Sequence, residues 1–274
     1  MISIITAIHN QLPMNKLFWQ YLQKHTFHPF ELIVIDNNSS DGSAEFFEQM
    51  GAIVIRNKAN YSYPYTQNQG VAVAQYDVYA FLNNDIIVAP NWDQLLLDSM
   101  RVHNLDIITV CGIERVETQA ATKAMGRKWK RIKNTIQALF GINAFTLRLM
   151  HQLMYQNWER FSAERQQQFA KQVVEGFVGN SVVYTRKAAA LIGNWDERIQ
   201  EADFDLYIRS KKRALEAGDL KPCHIALDVF HHHYIRITAK AKPPVFADAN
   251  QMIPLSQKWT EAERMHYLKD NVFT

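Results

Sequence analysis

Cysteine is scarce. Only Cys111 and Cys223 occur in 274 residues, far apart and outside any C-x-x-C spacing, which excludes a disulfide scaffold and a zinc knuckle and makes a reducing compartment the default. Long apolar runs are missing too: none reaches the roughly 18 residues of a spanning helix. The opening MISIITAIHNQ lacks a basic segment, a long apolar segment and a small-residue cleavage site, so the expectation is a cytoplasmic protein, soluble or peripheral at the inner face of the membrane. A net charge of +3 is too small to imply nucleic acid by itself.

What is present is ordinary globular composition. With 47% hydrophobic and 21% charged residues, the chain can bury a substantial core as one large domain with an insertion or appendage. ISIITAI (2–8) and ELIVID (31–36) are nearly continuous apolar runs, as in strands buried on both faces of a parallel sheet. AIVIRN (52–57) and DVYAFLNND (77–85) supply two more strands. Between them, helical patterns run from Pro13 to His25, from the cap Asp41 to Gly51, and over 65–75 despite Gly70. This alternation builds an open, mostly parallel sheet flanked by helices, an α/β fold that binds ligands outside the carboxyl ends of its strands. Polar clusters stand at three such ends: Ile8 to Asn10, Asp36 to Ser43, and Asn83 to Asp85.

From about Thr118 to Val173 the chain reads as helical and partly basic, with RKWKRIK at 127–133. Beyond it come a glycine-flanked strand, a short helix RKAAALIG, a turn with Trp195, a helix over 201–218, a strand HIALDVFHHHY (224–234), and a tail from Lys240 with Pro243 and Pro244 and a helix over 256–268. The expected divisions are 1–112, a helical basic insertion at 113–173, 174–239, and a helical tail at 240–274.

In order, SIITAIHN, IDNNSSDGS, FLNND, GNSVVYTRKAAALIGNWDERI, EADFDLYIR and FHHH resemble the successive signatures of family-2 glycosyltransferases of the GT-A (Rossmann-like) fold. The resemblance spans nearly the whole chain outside 113–173. It implies transfer of a sugar from a nucleoside diphosphate donor with inversion, assisted by a divalent metal, Mn²⁺ or Mg²⁺. The diphosphate leaves with negative charge that a metal can neutralise, and hard cations take one or two carboxylates plus phosphate oxygens.

The family's Asp-x-Asp falls on Asn83, Asn84 and Asp85. The resemblance gives Asp85 to the metal and Asn83 to a ribose hydroxyl, although these side chains could instead be turn formers. Asp36, with Asn38 beside it, is implied to bind the nucleotide; an Asx turn with Asn38 or Ser39 is the structural alternative. Ala7 and Ile8 stand where the family often has Pro and Thr, so contact there would be through backbone. Asn68 is similar to the family's donor-binding asparagine, or is a surface helix residue. Gly179 and Asn180 match the strand near donor sugar and acceptor. Asp203 matches the catalytic base, with Ala202 in place of a glutamate; Glu201 sits about 100° round a helix and cannot simply substitute. The alternative for Asp203 is an acidic first turn favoured by the helix dipole. Trp195 either stacks on an acceptor sugar or closes the core. One histidine of 231–233 is implied as a metal ligand, and on a continuous strand His231 and His233 would share a face; these two are preferred.

The basic segment is a solvated helix face, or a surface for an anionic membrane or lipid diphosphate; nucleic acid is not expected. The function expected is glycosyl transfer to a saccharide or lipid-linked acceptor in bacterial surface polysaccharide or glycolipid synthesis, with UDP the preferred nucleotide. The alternative is a catalytically degenerate module that binds a nucleotide sugar or a membrane surface. A nucleotidyltransferase is disfavoured because TAIHNQ offers no glycine-rich phosphate loop.

Overall fold

The computed structural model describes residues 1–235, 237 and 244–269. Ten strands are present: β1 (Ile2–Ile8), β2 (Phe30–Asp36), β3 (Ile53–Arg56), β4 (Val78–Leu82), β5 (Ile86–Ile87), β6 (Ile107–Cys111), β7 (Val173–Glu175), β8 (Ser181–Thr185), β9 (His224–Phe230) and β10 (His232–His233). The helices are α1 (Leu12–His25), α2 (Ser43–Gln49), α3 (Tyr63–Val73), α4 (Trp92–His103), α5 (Gln119–Phe140), α6 (Ala144–Tyr155), α7 (Trp158–Phe169), α8 (Arg186–Ile192), α9 (Ala202–Glu216), α10 (Leu255–Lys258) and α11 (Glu261–Leu268).

Eight strands form one sheet in the order β3-β2-β1-β4-β8-β6-β9-β7, and β10 pairs with β5 in a separate ribbon. β1 to β4 run parallel, while β8 lies antiparallel between β4 and β6. The apolar runs bury both faces. Ile4, Val34, Ala80 and Leu82 enter one layer with α1, α4 and the helices α5 to α7; Ile5, Ile33, Ile35 and Phe81 enter the other with Trp195, Leu206 and Tyr207. Gly70, in the interior of α3, has a packing reason: a Cβ there would lie 2.3 Å from Ile5 Cγ2, so the helix rests directly on β1. Both cysteines are buried and unpaired, and burial pushes the Cys111 thiol up to about 11.

The chain order turns back at β1. β2 leaves it on one side and β4 joins it on the other, which opens a crevice between the carboxyl ends of β1 and β4. Ala7 and Asn83 stand at that crevice.

Two expected elements are different. The strand over 224–234 breaks after Phe230: β9 belongs to the main sheet, whereas β10 crosses to β5 with His232 opposite Ile87 and His233 opposite Ile86. The short apolar stub after Asp85 needs a partner for its backbone groups, and β10 supplies it. The tail helix is two helices, parted at Trp259 and Thr260, because Trp259 turns inward onto Ile199 and Ile208 and Thr260 caps α11 with Glu263. The division expected at 239/240, and Lys240 and Pro243, lie outside the described residues.

Candidate active site

Two cavities meet at Asn83. The smaller, about 260 Å³, is lined by Ala7, Tyr63, Gln67, Leu82, Asn83, Asn84 and Asp85. The larger, about 620 Å³, runs along Glu114, Arg115, Phe177 to Asn180, Asp203, Phe204, His233 and Leu268, with Asn83 again in its wall. Asn83 is fixed by its own N–H, which donates to the Asn180 carbonyl at 3.1 Å.

At the junction, His233 Nε2 lies 3.1 Å from Asp85 Oδ1, and its Nδ1 pairs with Glu114 Oε1. Pairing of β5 with β10 produces this meeting, reinforced by the Tyr234 N–H donating to the Asp85 carbonyl at 2.9 Å. Glu114 and Arg115 reach the cleft from a tight turn closed by reciprocal backbone bonds between Gly112 and Arg115. Burial is the largest influence on His233 and opposes its charge, yet Asp85 and Glu114 together outweigh it and hold the imidazole well above its ordinary pKa.

Among the described residues no three His, Cys, Asp or Glu side chains converge into a full metal cage. The Asp85–His233 pair nevertheless suits a divalent ion completed by phosphate oxygens: one carboxylate, one imidazole nitrogen, and a second carboxylate on the far ring nitrogen, as histidine ligands commonly have. His231 is placed elsewhere. It is fully buried, its Nδ1 2.8 Å from Ser181 Oγ and its ring edge-on to Trp92, because the break before β10 turns it away from the face that His233 takes. His232 points into the insertion, bonded to Tyr155 OH at 2.9 Å and packed on Trp129 and His151.

Asp203 stands in the first turn of α9, over Gly179. A Cβ at 179 would lie 2.2 Å from Asp203 Oδ2, so only glycine lets the carboxylate settle there. Oδ1 accepts the Phe204 N–H at 2.9 Å. Desolvation raises the carboxyl above its ordinary pKa of 3.8, with the Phe204 N–H pulling the other way. Asn180, 2% exposed, donates to Glu114 Oε2 at 3.2 Å and leaves its Oδ1 without a partner among the described residues.

Several expected residues also make bonds that hold the frame, Asn84 among them although it lines the smaller cavity. Both oxygens of Asp36 receive the Ser39 N–H, at 3.1 and 3.3 Å, which is the Asx-type turn, and Asn38 follows in the left-handed region at φ 64°. Neither lines the two cavities. Ile8 is core, with its carbonyl accepting the Asn37 N–H. Asn84 donates to Asn15 Oδ1 at 2.7 Å and so ties the turn to α1. Asn68 exchanges bonds with the Trp195 backbone and donates to Glu197, clamping α3 to the 195–197 turn. Trp195, 3% exposed, packs against Tyr63 and Phe81 and closes the core. Glu201 is exposed at the start of α9 and does not line the cleft.

Three lining residues had no signature of their own. Gln67, one position before Asn68, is 1% exposed with Oε1 unpartnered among the described residues; it shares the cavity face of α3 with Tyr63, four residues away. Glu114 and Arg115 come from a stretch without a family pattern.

The decisive comparison matches residues 3–193 to the family described as glycosyl transferase family 2. The chain belongs to glycosyl transferase family 2. No curated protein matches the chain. Among solved structures, residues 1–349 of TarS from S. aureus superpose with a TM-score of 0.52 at 12% identity, covering 91% of this chain and 68% of that one. A longer TarS gives 0.51 at 12% identity, and the chain spans only 41% of it. A mannosyltransferase from Pyrobaculum calidifontis, in complex with GDP-Man and Mn²⁺, gives 0.54 at 13% identity over 98% of this chain and 74% of that one. These likenesses are of fold, and the fold is GT-A.

Proposed function

We propose that this family member is an inverting glycosyltransferase, assisted by a divalent metal, that takes its sugar from a nucleoside diphosphate. The observation that carries the reading is Asn83. It is the wall shared by a cavity ending at Asp85 and a cleft holding both His233 and Asp203. A donor diphosphate at the junction has its leaving group at the metal pair and its anomeric carbon toward Asp203.

Ala7, Tyr63, Gln67 and Asn83 would line the nucleoside, with UDP the preferred base. Asp85 and His233 would hold the metal, whose chemistry is to neutralise the charge of the departing diphosphate; a nitrogen ligand favours a transition ion such as Mn²⁺ over Mg²⁺. Asp203 Oδ2 takes the proton of the acceptor hydroxyl as its oxygen attacks the anomeric carbon from the face opposite the diphosphate. Its raised pKa makes it a stronger base than an ordinary carboxylate. Asn180 Oδ1 is available to accept a second hydroxyl.

The apolar wall of the cleft, from Phe177, Val178, Phe204 and Leu268, supports an amphipathic acceptor, in line with bacterial surface polysaccharide or glycolipid synthesis. The reading includes peripheral contact with the inner face of the membrane through 127–133; among the described residues no helix is long and apolar enough to cross a membrane.

Thermal unfolding with UDP, dTDP and GDP sugars, each with Mn²⁺, Mg²⁺ or EDTA, tests it. A ligand that binds only the folded chain raises its stability by mass action. A metal-dependent rise with one donor class, absent in Asp85→Ala, is expected. No rise with any nucleotide sugar overturns the donor site, and a rise without turnover favours the degenerate binding module.

A further inference from the structure

Between Glu117 and Glu159 the chain has no acidic residue, but it carries Lys123, Arg127, Lys128, Lys130, Arg131, Lys133 and Arg148. The structure folds this stretch into the α5–α6 hairpin. Lys123, Arg127 and Arg131 follow one another at intervals of four on α5, a single exposed row that continues to Leu139. Among the described residues Lys123, Arg127, Lys130 and Arg131 form no ion pair.

The row ends at an apolar tip. Leu139, Phe140, Ile142 and Phe145 are 66%, 57%, 41% and 67% exposed, four large side chains within seven positions. Their backbone is well held: Gly141 N–H donates to the Gln137 carbonyl, and Asn143 caps α6 through the Phe145 and Thr146 N–H groups. A built turn thus presents apolar side chains to solvent, where a free surface gains nothing from them.

We propose that the α5–α6 hairpin docks the protein on an anionic lipid bilayer, with Leu139, Phe140, Ile142 and Phe145 inserted at the interface and the Lys123–Arg131 row on the headgroups. Charge complementarity selects this occupant. Apolar side chains beside unpaired cations, with no acid for some forty residues, match the boundary between acyl chains and acidic headgroups. A second copy of the hairpin would set its own cations against one another. The placement is also useful, and here alone it rests on the glycosyl-transfer reading. Trp129 and Lys133 donate to the Ile235 carbonyl, and Gln137 to that of Ile237, so α5 lies along the chain just after His233. Eleven residues separate Trp129 from Phe140, about 16 Å of helix. The apolar tip therefore lies about one such span along α5 from the point where the helix meets the chain two residues after His233.

The test is co-sedimentation of the full chain with vesicles of phosphatidylcholine alone, or mixed with phosphatidylglycerol, at low and high salt. Binding is expected only to the anionic vesicles and is weakened by salt. Each cation contributes about fivefold, so Arg127→Gln, Lys130→Gln and Arg131→Gln together lower the partition on the order of a hundredfold. Leu139→Ser, Phe140→Ser and Phe145→Ser together are expected to lower it at least about tenfold. Both sets should keep the wild-type melting temperature and its rise with nucleotide sugar, which separates failure here from failure of the donor site. Three results overturn the proposal: no preference for anionic vesicles, anionic binding indifferent to the serine substitutions, or a self-associated chain in light scattering that those substitutions dissociate.

Discussion

The site has two corners that treat a buried ionisable group in opposite ways. At the corner proposed for the metal, His233 is pinched between Asp85 and Glu114, and burial loses to two opposite charges. At the corner proposed for the base, desolvation of Asp203 outweighs the backbone N–H groups of Phe204 and of Asp203 itself, and Glu201 adds to it, so its proton is held more tightly than usual. The first corner gathers charges that an ion can organise. The second keeps one carboxylate ready to take a proton, and such separated environments assign roles within an acid–base site.

Asp203→Asn should break the comparison most severely. Turnover falls by about 10²- to 10⁴-fold while the donor-induced rise in melting temperature survives; full activity would remove Asp203 from the chemistry. In the wild type, kcat/KM should fall at low pH as Asp203 protonates, with the acidic limb above the ordinary 3.8 of an aspartate. The stability consequence has a definite sign. A carboxyl whose pKa is raised on folding stabilises the fold at low pH, and that contribution is lost as pH rises through the folded pKa. Asp203→Asn should therefore melt no lower than the wild type at neutral pH, and a clear drop in melting temperature would reveal a structural carboxylate.

Next in size is Asp85→Ala, which should abolish the metal-dependent part of donor binding in calorimetry and leave the metal-free part. Glu114→Gln is subtler. It keeps the shape beside His233 but removes the charge on Nδ1, and loss of such outer partners costs about 10- to 100-fold in metal affinity; unchanged Mn²⁺ affinity in a titration would make Glu114 a bystander. Asn68→Ala should have the smallest effect on chemistry, costing on the order of 1–3 kcal/mol of stability in urea unfolding with donor affinity nearly kept, because its side chain holds the 195–197 turn.

The sheet was legible because its strands are continuous apolar runs, whereas Asp85 and Asp203 were singled out by the family resemblance of FLNND and EADFDL, and the structure places them after β4 and at the start of α9. The histidine was not. Choosing among His231, His232 and His233 requires knowing that the chain leaves the sheet after Phe230, and that break depends on β5, a partner nearly 150 residues distant. Gln67 rather than the neighbouring Asn68 lines the cavity, because adjacent helix residues point about 100° apart. The Asp36 carboxylate could serve a ligand or its own turn by the same chemistry, and in the structure it receives the Ser39 N–H. Glu114 carried no pattern because a two-residue backbone closure, not a helix or strand, delivers it.

The β5–β10 ribbon also bears on how the chain becomes active. Closing a loop of about 150 residues costs entropy before its contacts return anything, and Asp85 and His233 meet only once the chain has reached β10. The metal capture proposed above would therefore wait for β10. A product that stops short of β10 holds Asp85 and most of the proposed donor cavity, yet lacks the His233 partner.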